Sequence, residues 1–150
     1  MAYKLLIVED EKEKATGIAY LTGKYNPECR PVLLAHDGRE GYEKATAEQP
    51  DIIVTDIRMP EMDGFELCRN IKSNIEFCHI PVVLLTAKND LDSKIEGLKM
   101  GADVYIEKPF SFQYLLAQLT SLFDNRKREK EAFMRKPFLP VTSMGMSKAD

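Results

Sequence analysis

The sequence lacks the features that would place the protein in a membrane, in a disulfide-rich class or among nucleotide-binding proteins. No apolar run approaches the ~18 residues that cross a bilayer, and the first residues lead into a predicted strand without a signal-peptide layout. The three cysteines form no CxxC pair and show no zinc spacing. A nucleotide or flavin site would need a glycine-rich phosphate loop, and none is present. We therefore expect a cytoplasmic protein with reduced thiols and no membrane contact.

The length and the charge distribution indicate one domain with a short extension. A chain of 150 residues has room for one ordinary domain but not for two. Residues 1–125 contain 14 basic and 21 acidic residues, whereas residues 126–150 contain seven basic and three acidic ones. Such an acidic domain is a poor nucleic-acid binder. We predict a domain over residues 1–125, then a basic helix extension and a linker over residues 126–150.

Five short apolar runs alternate with segments of helical periodicity. The runs are typical of buried strands and cover residues 4–8, 32–35, 52–55, 81–86 and 103–106. This alternation predicts an α/β fold with a parallel sheet and helices on both faces.

The last two predicted helices carry more detailed expectations. The periodicity of the fourth helix places Leu91, Ile95 and Leu98 inward. Ser111 is in position to cap the fifth helix, which we expect to extend into solvent from Arg126 onward.

Polar residues follow four of the predicted strands where each strand ends. They are Glu9 and Asp10, then Asp56, then Thr86, then Lys108. Parallel strands end at one edge of a sheet, so these residues can meet in one pocket. Three carboxylates in one pocket repel one another unless a cation joins them, and magnesium suits a site with few carboxylates and several waters. With an ammonium group added, the pattern indicates a phosphoryl-transfer site.

The same residues resemble the receiver domain of two-component response regulators. The matching residues lie at strand ends or in the turns that follow, and are Glu9-Asp10, Asp56, Met59-Pro60, Asp63-Gly64, Thr86-Ala87, Tyr105 and Lys108-Pro109. The resemblance covers residues 4–124, with the signatures in the right order and spacing. It implies a flavodoxin-like, doubly wound, five-stranded parallel sheet of strand order 2-1-3-4-5.

The resemblance implies chemistry at Asp56. That residue would be the phosphoacceptor, taking a phosphoryl group from a histidine kinase as an acyl phosphate. Glu9, Asp10, Asp56 and the backbone carbonyl of Arg58 would hold Mg²⁺. Arg58 and Lys88 would influence how water reaches the phosphoryl group, and hence its lifetime. The protein would be a signalling receiver with self-phosphorylation and autodephosphorylation chemistry, not a metabolic enzyme.

The resemblance also implies a switch. Lys108 would pair with the phosphoryl group, and its peptide bond to Pro109 would be cis. Thr86 would donate a hydrogen bond to a phosphoryl oxygen and move toward it, letting Tyr105 swing inward. The affected surface would be the fourth helix, fifth strand and fifth helix, with homodimerisation on phosphorylation as one outcome.

The last residues of the chain show no strand or helix pattern. Residues 137–150 look like a linker toward an output domain outside this chain, so the parent would be a longer regulator or a hybrid sensor kinase. A DNA-binding helix-turn-helix output, controlling transcription, is the family-level expectation. A magnesium-dependent phosphohydrolase with an aspartyl-phosphate intermediate is the alternative, but it would want a DxD motif where the chain has Glu9-Asp10-Glu11. A degenerate receiver used only for docking is disfavoured, because every expected acid, the threonine and the lysine are retained.

Overall fold

Five strands alternate with five helices in the described part of the chain. The computed structural model describes residues 2–87 and 91–135. The elements in chain order are β1 (Tyr3–Val8), α1 (Lys12–Tyr25), β2 (Cys29–Ala35), α2 (Gly38–Glu48), β3 (Ile52–Asp56), α3 (Gly64–Lys72), β4 (Val82–Thr86), α4 (Leu91–Met100), β5 (Val104–Glu107) and α5 (Phe112–Arg135).

The strands form one parallel sheet in the order β2-β1-β3-β4-β5, which confirms the predicted topology. Side chains alternate between the two faces of a strand, so each face has its own core. Leu6 packs with Leu67 of α3 in one core. Leu5 packs with Leu115 and Leu119 of α5 in the other. Helices therefore cover both faces, as the sequence predicted.

Short polar side chains fix the starts of several helices. Asp37 Oδ1 accepts the Glu40 N–H at 2.8 Å, and Asp63 Oδ1 accepts the Glu66 N–H at 2.9 Å. Ser111 Oγ accepts the Tyr114 N–H at 3.2 Å, which confirms the predicted cap of α5. These caps hold the helix starts beside the carboxyl ends of the strands.

The predicted orientation of α4 is wrong. Leu91, Ile95 and Leu98 are 66%, 42% and 66% exposed, whereas Gly97 is buried. Helical periodicity defines an apolar face, but it does not say whether that face meets the sheet. Here the side without a side chain, at Gly97, lies against the sheet. The leucine and isoleucine side chains point outward.

The prediction that α5 extends into solvent from Arg126 is also wrong for two of its residues. The Arg126 side chain is 16% exposed and its Nε lies 3.6 Å from Asp51 Oδ1. Lys130 Nζ lies 3.6 Å from the same oxygen and 5.7 Å from the centre of the Tyr3 ring. The start of the extension is therefore bound to the amino edge of the sheet.

The other predictions for the end of the chain are tested only in part. The predicted linker over residues 137–150 lies outside the described residues. Within the described ranges, no helix combines the length and apolar character needed to cross a membrane.

Candidate functional site

Three acids from two neighbouring strands converge at the carboxyl edge of the sheet. Asp56 is the last residue of β3, and Glu9 and Asp10 follow β1 directly. Because β1 and β3 pair in parallel, with Val8 beside Thr55, these residues come together. One carboxylate oxygen from each of the three lies within 4.8 Å of the others. The structure therefore brings together the acids that the sequence predicted would meet.

Lys108 reaches this group from the far side of β4. Its backbone N–H donates to the Thr86 carbonyl at 2.7 Å, which places it just past the end of β5. Its Nζ donates to Asp56 Oδ1 at 2.7 Å, and the Ile57 N–H donates to the same oxygen at 3.0 Å. The Lys108–Pro109 peptide bond is cis. With the Asp56 side chain only 14% exposed, the ion pair is partly shielded from water.

Burial is the main influence on the ionisation of Glu9. Glu9 is 2% exposed. Burial raises the pKa of Glu9 above its ordinary value, the Glu11 N–H that its Oε2 accepts at 3.1 Å lowers it, and the charge of Asp56 raises it again; the net direction is upward. A buried carboxyl beside further carboxylates is stabilised in its ionised form by a cation. All three side chains are hard oxygen donors, so the set fits Mg²⁺.

A small cavity of about 100 Å³ lies beside the Asp56 carboxylate. Its lining residues come from the ends of β3, β4 and β5 and from α4, and they are Asp56, Ile57, Arg58, Leu85, Ala87, Ser93 and Lys108. This volume can hold a few waters or a small polyatomic anion. Arg58 is exposed at its rim, whereas Lys88 lies outside the described residues.

Sequence reasoning missed Ser93. It lies in the first turn of α4 and lines the cavity beside Asp56. A serine at the start of an exposed helix is common, and no spacing rule separates one that faces a cavity from one that faces water. Only the position of α4 against the sheet reveals it.

Thr86 and Tyr105, the two predicted switch residues, both bury their hydroxyls. Thr86 is fully buried, and neither its Oγ1 nor the Tyr105 Oη has a hydrogen-bond partner among the described residues. Burial also raises the pKa of Tyr105. The lining of the cavity includes Leu85 and Ala87, the neighbours of Thr86, but not Thr86 itself. Buried hydroxyls without partners are uncommon and cost free energy.

Gly64 lets the turn after Asp56 close tightly. A Cβ atom at Gly64 would lie 2.3 Å from the Asp56 carbonyl oxygen and 2.9 Å from Ile57 Cα. The Gly64 N–H donates to the Ile57 carbonyl at 2.8 Å, which ties the start of α3 to the end of β3. The sequence showed the Asp63-Gly64 pair as part of a signature, and this contact is its physical reason.

Comparisons with known proteins agree with this geometry. Residues 5–120 match the family model described as the response regulator receiver domain. Histidine kinase P4 of Formosa agariphila is 38% identical over 147 residues, 97% of this chain and 10% of that protein. Response regulator MprA of Mycobacterium ulcerans is 34% identical over 131 residues, 87% of this chain and 54% of that protein.

A solved structure gives the same result. The receiver domain of a signal transduction histidine kinase from Syntrophus aciditrophicus superposes with a TM-score of 0.78 at 33% identity, covering 85% of this chain and 94% of that one. This chain thus spans almost the whole of a solved receiver domain. It spans only about a tenth, or about half, of the two curated relatives.

Proposed function

Because the chain belongs to the response regulator receiver domain family, we propose that it accepts a phosphoryl group on Asp56 from a histidine kinase. Receivers are signalling domains that act in phosphorelays, not metabolic enzymes. One observation carries the assignment to Asp56. Its carboxylate lies within 4.8 Å of two other acids, 2.7 Å from the Lys108 ammonium and beside a small cavity.

The proposed metal is Mg²⁺, which receiver domains generally bind. Glu9, Asp10, Asp56 and the backbone carbonyl of Arg58 would hold it. When bound, the ion would offset the charge of the acids and stabilise negative charge on the phosphoryl oxygens. The convergence of three carboxylates and the raised pKa of Glu9 support this proposal.

The proposed transfer is a single displacement at phosphorus. A carboxylate oxygen of Asp56 attacks the phosphorus of a phosphohistidine in the kinase. A P–O bond forms at Asp56 as the P–N bond breaks, and the electron pair of that bond goes to the imidazole nitrogen, which binds a proton. The product is an acyl phosphate. Hydrolysis later returns the carboxylate of Asp56 and inorganic phosphate.

The structural response would begin at Lys108 and Thr86. Phosphorylation replaces one negative charge with about two and adds strong acceptor oxygens. The Lys108 ammonium would pair with these oxygens, and the unpartnered Thr86 hydroxyl would donate to one of them. Tyr105 would then respond to the movement of Thr86. This biases two arrangements of α4, β5 and α5, the surface through which an output is controlled.

The output itself lies outside this chain in our proposal. Residues 1–125 would be the receiver, and the basic extension of α5 with its linker would lead to an output domain, with transcription control through a helix-turn-helix module and homodimerisation as proposed consequences. The longer curated relatives, one a response regulator and one a histidine kinase, support a longer parent protein. A cytoplasmic setting stays a prediction.

Of the two residues proposed to influence the lifetime of the phosphorylated protein, Arg58 is among the described residues and Lys88 is not. It is exposed at the rim of the cavity beside Asp56. Replacing Arg58 with alanine should change the half-life of the phosphorylated protein, measured by intact mass after the donor is removed. An unchanged half-life would remove Arg58 from this role. The same role for Lys88 rests on the sequence alone.

The central test is phosphate uptake from a small donor. The protein incubated with Mg²⁺ and acetyl phosphate should gain one phosphate by intact mass, and Asp56→Asn should gain none. Asp124→Asn is the matched control, because Asp124 is an exposed acid on α5, and it should behave like the wild type. Uptake by Asp56→Asn equal to wild type would overturn the assignment.

The comparisons give no support to the phosphohydrolase alternative. Repeated turnover of a phosphomonoester would be required to revive it. A single phosphate retained on Asp56 without such turnover agrees with a signalling receiver.

A further inference from the structure

Gly97 lies where α4 comes nearest to β4 and β5. It is buried, whereas the apolar side chains of the same helix are exposed. A Cβ atom at this position would lie 2.5 Å from Tyr105 Cε1, 3.0 Å from Tyr105 Oη and 2.9 Å from Leu84 Cδ1. Non-bonded contacts below 3.0 Å are essentially never made by Cβ atoms, so a side chain here would force a neighbour to move. The missing side chain therefore creates the space that the Tyr105 ring fills.

The position of Tyr105 in this space is unfavourable for its hydroxyl group. The Oη atom is buried and has no hydrogen-bond partner among the described residues. Tyr105 also lines a groove of about 540 Å³, together with Lys94, Glu107 and Tyr114. A Tyr105 that left its slot would enter this groove and could hydrogen-bond with water or with polar side chains. Two positions of the ring are thus physically available, one inside and one outside.

We propose that Gly97 is the positioning residue that permits the inward position of Tyr105 and so sets the balance between the two positions. This inference rests on the proposed switch at Tyr105 and deepens it. Gly97 favours the inward ring by leaving room for it, and the unpartnered hydroxyl opposes that position. Gly97 lines neither the cavity nor the acid cluster, so it has no direct contact with the groups that carry out the phosphate chemistry at Asp56.

The proposal makes an unusual prediction for stability. Alanine has a higher intrinsic helix propensity than glycine, so Gly97→Ala alone should stabilise α4 if no neighbour were in the way. In the wild-type background the collision with Tyr105 opposes this gain, and the melting temperature should fall. In a Tyr105→Ala background the same change should raise the melting temperature. Gly23→Ala, in α1 with nothing within 4 Å, is the control and should not lower it.

The position of the ring can be observed directly. The full chain is labelled with 3-fluorotyrosine, and the Tyr105 resonance is assigned among those of the six tyrosines by its loss in Tyr105→Phe. In Gly97→Ala this resonance should shift and become severalfold more sensitive to a paramagnetic agent in the solvent, because the ring moves outward. In Gly23→Ala it should not move. Both variants should still gain one phosphate from acetyl phosphate with Mg²⁺, because Asp56, its acid neighbours and Lys108 are all retained.

The outcomes separate the inference from the function on which it rests. Normal uptake with an unmoved Tyr105 resonance in Gly97→Ala would overturn the role of Gly97 and leave the phosphoacceptor intact. A fall in melting temperature in the Tyr105→Ala background as well would also overturn it, because Leu84 would then be the obstacle. If Gly97→Ala does not fold but the double variant does, the collision with Tyr105 is supported. No phosphate uptake by the wild type would overturn the proposed function itself.

Discussion

The two edges of the sheet both bring acids and cations together, but with opposite balance. At the carboxyl edge, Glu9, Asp10 and Asp56 lie together beside the ammonium of Lys108. At the amino edge, Asp51 accepts the Lys4 N–H at 2.8 Å, while Arg126 and Lys130 each lie 3.6 Å from its other oxygen. Among these described residues, the first cluster has three carboxylates for one ammonium, and the second has two cations for one carboxylate.

A second acid at the amino edge, Asp103, is also paired with a cation and a backbone N–H. Asp103 Oδ2 accepts the Val82 N–H at 2.8 Å and lies 2.8 Å from Lys72 Nζ. Lys72 in turn donates to the Ile80 carbonyl at 2.7 Å. Acids with fixed, matched partners stabilise the fold. Acids that lack them raise its free energy until a cation or a phosphoryl group joins them, which is how perturbed groups come to mark functional sites.

The largest expected effect is a difference between Lys108, at the carboxyl edge, and Lys72, at the amino edge. Lys108→Ala should slow phosphate uptake by roughly 100-fold, because a positioned donor to developing negative charge is worth about that much. Lys72→Ala should leave the rate of uptake unchanged and lower the free energy of unfolding by about 1 kcal/mol, because the Ile80 carbonyl and the exposed Asp103 carboxylate lose their donor. Intact mass over time and urea denaturation measure the two quantities. Uptake by Lys108→Ala at the wild-type rate would remove the contrast.

Asp51 should be a purely structural acid. Asp51→Asn should lower the free energy of unfolding by about 1–3 kcal/mol, because two cations and a backbone N–H lose a charged partner. It should also speed hydrogen exchange in the part of α5 that follows Phe123. Asp124→Asn, which removes an exposed acid from α5 itself, is the control for the loss of charge alone. An Asp51→Asn protein as stable as the control would show that the contact does not hold the extension.

Asp10 should show the reverse behaviour in the absence of metal. In EDTA, Asp10→Asn should raise the free energy of unfolding by about 0.5 kcal/mol, because it removes one of three like charges at an exposed position. Added Mg²⁺ should stabilise the wild type more than the variant, since a ligand that binds the folded state adds more stability the more tightly it binds. Thermal denaturation with and without Mg²⁺ checks both signs. A variant less stable than wild type in EDTA would contradict the idea of unmatched charge.

The site could be predicted from the sequence where topology alone decides geometry. Glu9 and Asp56 meet because the ends of parallel strands share an edge, and this needs only the strand pattern. The same argument placed Lys108 near Asp56, and the fold class followed from the alternation of strands and helices. None of these steps requires knowledge of a side-chain rotamer.

The sequence could not reveal contacts that depend on how a helix is rotated or where it ends. The apolar residues of α4 define a face, but Gly97 lies against the sheet, and only the packed helix shows this. Arg126 pairs with Asp51, which lies 75 positions earlier in the sequence. Nothing in the basic run of residues 126–130 shows which of its side chains contacts the domain. The cavity contact of Ser93 is hidden for the same reason.

The smallest expected effects concern two acids at the carboxyl edge whose pKa values move in opposite directions. Glu40 Oε1 accepts the His36 N–H at 2.7 Å, and Lys44 Nζ lies 3.2 Å from its other oxygen. The His36 N–H most of all lowers the pKa of Glu40. Burial raises that of Glu9. An acid whose pKa is lowered in the folded state contributes stability above its unfolded pKa, and this stability is lost as the pH falls through the folded-state pKa. An acid whose pKa is raised in the folded state destabilises the protein at neutral pH, and this destabilisation disappears as the pH falls.

The variants Glu40→Gln and Glu9→Gln should therefore change the pH dependence of stability in opposite directions in the metal-free protein. Glu40→Gln should lower the free energy of unfolding at neutral pH by about 0.5 kcal/mol, a modest value because the side chain is 35% exposed, and the difference from wild type should vanish in acid. Glu9→Gln should be more stable than wild type at neutral pH, and this advantage should shrink as the pH falls through the raised native pKa of Glu9. Urea denaturation in EDTA across the acidic range measures both. Parallel stability curves for wild type and Glu9→Gln would contradict a raised pKa of Glu9, because only an acid with unequal pKa values in the folded and unfolded states makes stability depend on pH.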